Sequence, residues 1–229
     1  YTFGEGSGAH ARLLEVIEAS NGLRVKAVVM GNEISFTLQL FGRHQAINAL
    51  SVILAATLAG YDSQKAADAL SRIEPLAGRG KREKLNYGNP DNPVTLIDES
   101  YNASPVAMRA AFKVLAMIDP GRGGRRIAVL GDMLELGKDA PKYHRDLALP
   151  LKAANIDFVY TCGAMMKNLH EELPQDMGKV HRESSQDLAE IVPEAISPGD
   201  VVMVKGSLGS KMKVVVEALR EKPKSIANR

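Results

Sequence analysis

The chain has 229 residues, 45% of them apolar and 24% charged, with a formal net charge of +2. That length suits one large domain, or one domain with part of another, and the composition is that of an ordinary globular protein. So mild a charge, with Lys and Arg spread along the chain, argues against a nucleic-acid partner, and no run reaches the roughly 18 apolar residues of a membrane span.

The most apolar stretch, Ala46 to Leu58, is too short to cross a bilayer, and the N-terminus does not resemble a signal peptide. Position 1 is Tyr1 rather than Met, which raises the expectation of a longer parent chain. The single cysteine, Cys162, excludes an internal disulfide and fits a reducing cytoplasm. Placed after Phe158-Val159-Tyr160, it reads as a buried thiol at a strand end.

In chain order, the first extended runs are Leu23 to Met30 and Glu33 to Leu40, joined by Gly31-Asn32. Both turn residues tolerate positive φ, so the pair reads as a β-hairpin. Two strands are marginal alone in water, and the hairpin is expected to be the edge of a larger sheet whose other strands are missing. His44 to Leu58 and Asp62 to Ile73 read as helices, the second capped by Asp62 or Ser63. Pro75 and Gly78-Arg79-Gly80 break the pattern, which sets a domain boundary at about residue 76, giving 1–75 and 76–229.

From Lys81 onward strands and helices alternate. The strands are Glu83 to Asn86, Val94 to Asp98, Arg126 to Leu130, Phe158 to Thr161, Lys179 to His181 and Val201 to Val204. The helices are Pro105 to Met117, Lys142 to Ala154, Met165 to Glu172, Ser185 to Ala195 and Ser210 to Glu221, with Lys222 to Arg229 read as a frayed end. This is the pattern of an α/β fold with a Rossmann-like, doubly wound, mostly parallel sheet. Ile127 to Leu130 and Val201 to Val204 are apolar throughout, as strands covered on both faces should be.

Ligands of such folds bind at the carboxyl ends of the strands. Those ends carry Asp98-Glu99-Ser100-Tyr101-Asn102, Gly131-Asp132-Met133 and Lys205-Gly206-Ser207. Ser104 and Pro105 are explained as a helix cap and first helical residue. Two acids, a hydroxyl, a phenol and an amide in the preceding loop are not, and such a loop can bind ribose hydroxyls and peptide-like groups. Lys205-Gly206-Ser207 offers a point charge and close backbone approach to a phosphate or carboxylate, or is a solvated turn. Asp132 is a helix cap or a ligand contact. The cluster Arg79 to Lys84 faces phosphate or solvent; charge alone favours solvent.

His44 and Asn48 share a helix face. Asn48 stands in an otherwise apolar helix, where a buried amide needs partners, and an adenine ring would supply a donor and an acceptor. His10, His144, His170 and His181 stand in unrelated settings and are assigned no chemistry. The chain contains no Gly-x-x-x-x-Gly-Lys-Ser/Thr P-loop, no Cys-x-x-Cys pair, no His-Glu-x-x-His helix and no Gly-x-Ser-x-Gly elbow, so no metal site or hydrolase is indicated.

Taken together these segments resemble one family. Gly42-Arg43-His44-Gln45-Ala46-Ile47-Asn48-Ala49-Leu50 is similar to the G-x-H-N-x-x-N-A-x segment that closes the central ATPase domain of the Mur ligases. Asp98 to Pro105 resembles the D-D-S-Y-N-A-N-P segment of the family member that takes D-alanyl-D-alanine as its acceptor. Val129 to Gly137 and Val204 to Ser207 match that member in order and spacing. Gln45, Glu99 and Ser104 depart from these patterns while keeping hydrogen-bonding character, and Glu99 sets its carboxylate one methylene further out.

The resemblance implies an ATP-dependent ligase of bacterial cell-wall synthesis, cytoplasmic and monomeric. It would join D-alanyl-D-alanine to a UDP-N-acetylmuramoyl tripeptide through an acyl phosphate. Residues 1–75 would be the tail of the central ATPase domain and 76–229 the C-terminal domain. P-loop, magnesium ligands and catalytic residues would lie before Tyr1, so that the chain alone would be inactive. Asn48 would bind adenine, Arg79 the nucleotide phosphates and Glu99 the ribose. Asp98, Ser100, Tyr101, Asn102, Lys205, Gly206 and Ser207 would line the dipeptide site. A sibling ligase with another amino acceptor, such as a folylpolyglutamate-type enzyme, and a stand-alone Rossmann-like binding module are the alternatives.

Overall fold

The computed structural model describes residues 1–19 and 22–227, with side chains as far as Lys222. The chain divides into two compact units, Tyr1–Pro75 and Leu76–Arg229.

The first unit is a four-stranded sheet covered by two helices. Its strands β1 (Phe3–Gly4), β2 (Ala11–Ala19), β3 (Gly22–Val29) and β4 (Asn32–Leu38) lie in that spatial order. The hairpin expected from Gly31-Asn32 is β3–β4, but it is not an orphan, because β2 pairs antiparallel with the other edge of β3. The register of β2 shifts between Leu13 and Glu15. That bulge breaks the alternation of apolar and polar residues, which is why β2 does not show as a strand in the sequence. Leu23, Val25, Ala27, Val29, Ile34, Phe36 and Leu38 alternate inward against α1 (Arg43–Leu58) and α2 (Ser63–Leu70). The Asp62 carboxylate caps α2 by accepting from Lys65 N at 2.8 Å.

The second unit is a six-stranded sheet with helices on both faces. Its strands are β5 (Lys81–Leu85), β6 (Val94–Glu99), β7 (Arg126–Gly131), β8 (Phe158–Cys162), β9 (Gly178–Arg182) and β10 (Val201–Lys205). They lie in the order β5-β6-β10-β7-β8-β9, with β5 antiparallel and the rest parallel. The helices are α3 (Pro105–Ala116), α4 (Ala140–Arg145), α5 (Ala148–Ala153), α6 (Met166–Glu172), α7 (Ser185–Ala195) and α8 (Lys213–Ala227). Helices α3 to α6 pack on one face of the sheet, against Ile97, Ala128, Leu130, Val159, Val201 and Met203. On the other face α7 and α8 pack against Val94, Leu96, Ile127, Val129, Val202 and Val204. Burying each such Leu, Ile or Val contributes roughly 2 kcal/mol, which explains strands apolar throughout.

Several helix ends differ from the sequence reading; α2, for one, stops at Leu70 rather than Ile73. Lys142 to Ala154 is two helices, α4 and α5, and Pro150 lacks the N–H that a continuous helix would donate to the Asp146 carbonyl. The last helix starts at Lys213, after Lys211 turns left-handed with φ 54°. It then runs to Ala227 instead of fraying at Lys222, and Asn228 and Arg229 lie outside the described residues. No helix among the described residues is long and apolar enough to cross a membrane.

Candidate active site

Strands β6 and β10 are neighbours, but the helices that follow them go to opposite faces, α3 to one and α8 to the other. The crevice outside the carboxyl ends of two such strands is where doubly wound folds bind ligands. Glu99 to Asn102 leave β6 there, and Lys205 to Ser207 leave β10 beside them.

The pleat of β6 sends its two consecutive acids to different faces. Both belong to the strand, which runs one residue further than the sequence pattern indicates. Asp98 is 2% exposed and points to the α8 side, where its Oδ2 lies 3.2 Å from Arg220 Nη2. Its Oδ1 accepts from Ser100 Oγ at 2.6 Å and Ser100 N at 3.2 Å. Glu99 points to the α3 side and pairs with Lys205, its cross-strand partner, at 2.9 Å. The Lys205 ammonium also donates to the Asn102 carbonyl at 3.0 Å, so it ties the end of β10 to the loop after β6. Lys205 is buried, and its charge is met by protein oxygens.

Beyond Glu99, Ser100 is buried while Tyr101 and Asn102 are exposed. Gly78-Arg79-Gly80 lies against this turn. Tyr101 N donates to the Gly78 carbonyl at 3.2 Å, and Gly80 N to the Asp98 carbonyl at 2.8 Å. Gly78 has φ 78°, and a Cβ there would stand 2.9 Å from Tyr101 Cβ, so both conformation and space require glycine. The exposed Arg79 guanidinium sits 4.5 Å from the centroid of the Tyr101 ring, a cation–π contact at the rim of the crevice.

The loop after β7 completes the cluster. Ser207 N donates to the Asp132 carbonyl at 3.1 Å, and Leu134 N donates to Ser207 Oγ at 3.0 Å. Gly206 and Gly131 both lie against Met212, leaving no room for a side chain at either. The Asp132 carboxylate is a helix cap, though for a distant helix: it accepts from Met166 N at 2.7 Å and Met165 N at 3.3 Å at the start of α6. His144, fully buried, accepts from Met133 N at 3.0 Å through Nε2 and donates from Nδ1 to the Ala140 carbonyl at 2.7 Å. It fastens this loop from below, as does Arg220 the loop after β6. Neither has a sequence signal, since each acts on a residue distant in the chain or on a backbone atom.

Cys162 is a buried thiol at the end of β8, its Sγ 3.5 Å from Met212 Sδ, and burial pushes it up to about 12. Among the described residues no group of three or more His, Cys, Asp or Glu side chains is gathered for a metal ion.

Arg79, Asp98 to Asn102 and Lys205 to Ser207 thus meet at one end of one sheet. Asn48 lies in the first unit, on α1, and is exposed rather than buried, so its amide needs no internal partner. Its face of the helix turns away from the apolar residues Ala46, Ala49, Leu50 and Ile53 that pack on the sheet.

A doubly wound domain with a polar crevice at its switch point is a common ligand-binding frame. Residues 82–208 match the family model described as Mur ligase, glutamate ligase domain. The chain belongs to the Mur ligase family. Among its relatives is the UDP-N-acetylmuramoyl-tripeptide–D-alanyl-D-alanine ligase of Bacillus subtilis, 30% identical over 227 residues, or 98% of this chain and 48% of that one. The enzyme of the same name from Mycobacterium tuberculosis is 31% identical over 202 residues, or 80% of this chain and 39% of that one. The chain therefore spans about half the length of the curated relatives it matches. Its fold is similar to that of MurF from Acinetobacter baumannii, with a TM-score of 0.81 at 21% identity over 95% of this chain and 46% of that one. It is also similar to MurF ligase from Thermotoga maritima in complex with ADP, with a TM-score of 0.75 at 19% identity, covering 96% and 48%.

Proposed function

We propose that this chain forms the acceptor-side half of an ATP-dependent ligase that joins D-alanyl-D-alanine to a UDP-N-acetylmuramoyl tripeptide. The observation that carries the reading is the 30% identity to a ligase of that name over 98% of the chain. It is supported by the gathering of Arg79, Tyr101, Asn102 and Lys205 to Ser207 at one switch-point crevice. On this reading residues 1–75 close the central ATP-binding domain and 76–229 form the C-terminal domain.

ATP would phosphorylate the tripeptide carboxylate, and the dipeptide amine would attack the acyl phosphate, with phosphate leaving from a tetrahedral intermediate. What these residues supply is position and charge. Arg79, exposed and lightly held on Tyr101, is free to swing onto the nucleotide phosphates. Asn48 would offer its exposed amide to the adenine, and Glu99, paired with Lys205, its carboxylate to the ribose. Tyr101, Asn102 and Ser207 line the dipeptide site, which Asp98, Ser100, Lys205 and Gly206 shape from beneath. On this reading the phosphate cradle and the magnesium ligands would belong to other parts of a parent enzyme. The setting would be the cytoplasm, where such nucleotide-linked precursors and ATP are found.

The test is ATP-dependent phosphate release by the full-length parent enzyme, given its UDP-linked tripeptide with D-alanyl-D-alanine, D-glutamate or L-alanine. Release with D-alanyl-D-alanine alone is the expected result. Release only with another acceptor would move the chain to a sibling reaction.

A further inference from the structure

Three charged side chains, two on the paired strands β5 and β6 and one more than 120 positions later on α8, meet behind the crevice. Arg220 on α8 bonds Glu83 on β5 through both prongs of its guanidinium, Nε to Oε2 at 3.0 Å and Nη2 to Oε1 at 2.6 Å. The same Nη2 reaches Asp98 Oδ2 at 3.2 Å. The outer oxygen of Asp98 is thereby neutralised, while the inner one holds both the amide and the hydroxyl of Ser100. Ser100 begins the turn from which Tyr101 and Asn102 project into solvent.

A carboxylate as buried as Asp98 is costly to keep charged without a cation, and a buried pair loses most when one partner is removed. The forked bond to Glu83 fixes the guanidinium plane, so Arg220 meets Asp98 in one orientation only. Glu83 hydrogen bonding, foremost, also keeps Arg220 protonated beyond the ordinary guanidinium range.

We infer that Arg220, oriented by Glu83, is a positioning residue: through Asp98 it sets the Ser100 turn and so the placement of Tyr101 and Asn102 toward the amine acceptor. Asp98 and Ser100 are buried behind the exposed Tyr101 and Asn102, so the network would act through them rather than on the acceptor itself. Its effect is on the geometry of the loop, where small displacements cost catalysis disproportionately. The kinetic part of this inference rests on the proposed reaction, and the structural part does not.

The experiment uses the full-length enzyme with Arg220→Met, Arg220→Lys and Glu83→Gln. In hydrogen exchange, Arg220→Met should speed exchange of the Ser100 and Tyr101 amides by about tenfold or more, with the β7 and β8 amides unchanged. In kinetics, the same variant should raise KM for the dipeptide by about tenfold while KM for ATP stays within about twofold. Arg220→Lys, which keeps the charge without the fork, should recover part of both effects. Glu83→Gln, isosteric, should show the same pattern more weakly and serves if Arg220→Met does not fold. Unchanged exchange at Ser100 in both Arg220→Met and Glu83→Gln would overturn the inference. So would equal rises in both KM values with a general loss of stability. Faster exchange at Ser100 in an enzyme that releases no phosphate with any acceptor would uphold the positioning network and sink the proposed reaction instead.

Discussion

Lys205 and Glu99 stand opposite one another on adjacent parallel strands, and the ammonium reaches the carboxylate at 2.9 Å. The lysine side chain is 4% exposed and the glutamate 26%, so the cation is the member that depends on the pair. Lys205→Met keeps the buried stem but removes the donor for both Glu99 and the Asn102 carbonyl. We expect a loss on the order of 2 kcal/mol, below the figure for a fully buried pair because water can reach Glu99. Denaturant unfolding checks the magnitude. A Lys205→Met protein as stable as the parent would mean that the pair contributes nothing to holding β6 and β10 together at the crevice.

Gly78 packs on the Tyr101 side chain with a left-handed backbone. Gly78→Ala adds a Cβ 2.9 Å from Tyr101 Cβ at φ 78°, so the loop must move. Strain of this kind costs about 1–2 kcal/mol, and the displacement should carry Arg79 off its ring. In the full-length enzyme the expected consequence is a higher KM for ATP from Gly78→Ala, matched by Arg79→Ala. If Arg79→Ala raises that KM and Gly78→Ala does not, the Gly78 turn has no part in placing the guanidinium.

Much of this architecture is legible in the sequence because it is repetitive. The runs Ile127 to Leu130 and Val201 to Val204 announce strands covered on both faces, and alternation with amphipathic helices gives the doubly wound sheet. Local signals are read equally well: Asp62 and Ser104 cap the helices that follow them. What fails is what depends on partners. The bulge after Leu13 scrambles the period of β2, and a helix splits before Pro150, whose missing N–H leaves the Asp146 carbonyl unmatched. The crevice residues themselves are visible as a dense polar loop at a strand end. Their supports are not, since Glu83 and Arg220 are 137 positions apart and His144 acts on a backbone amide. The pleat assigns Asp98 and Glu99 to opposite faces, but only the packed helices say which cation each one meets.

At the opposite end of the sheet, Asp200 is fully buried and accepts from four groups. These are Arg125 N at 2.8 Å, Arg125 Nε at 3.3 Å, Arg125 Nη2 at 2.7 Å and Ser197 N at 2.9 Å. It joins the strand starts of β7 and β10, at the other end of β10 from the crevice residues Lys205 to Ser207. Asp200→Ala leaves two backbone donors and a guanidinium without their acceptor, and we expect a loss of about 3 kcal/mol. In the full-length enzyme KM values should hold at a temperature where the variant is folded. Loss of stability below about 1 kcal/mol would show that water replaces the carboxylate at this corner.

His170 and His181 face each other at 5.6 Å between ring centroids, beside Lys179, Lys167 and Arg182, with Asp132, Glu171 and Glu183 opposing them. Burial first, then the neighbouring lysines, holds both imidazoles below the ordinary histidine value. In the unfolded chain they titrate at about 6.5, so just below that pH the unfolded state binds more protons than the folded one. Stability contributed by the neutral pair is therefore present above that value and is lost as pH falls through the lower folded values. Between pH of about 7.5 and 5.5, above the range where carboxylates protonate, the midpoint of thermal unfolding should drop. A His170→Asn, His181→Asn double variant should flatten the drop, and an equal slope in both proteins would assign the acid sensitivity elsewhere.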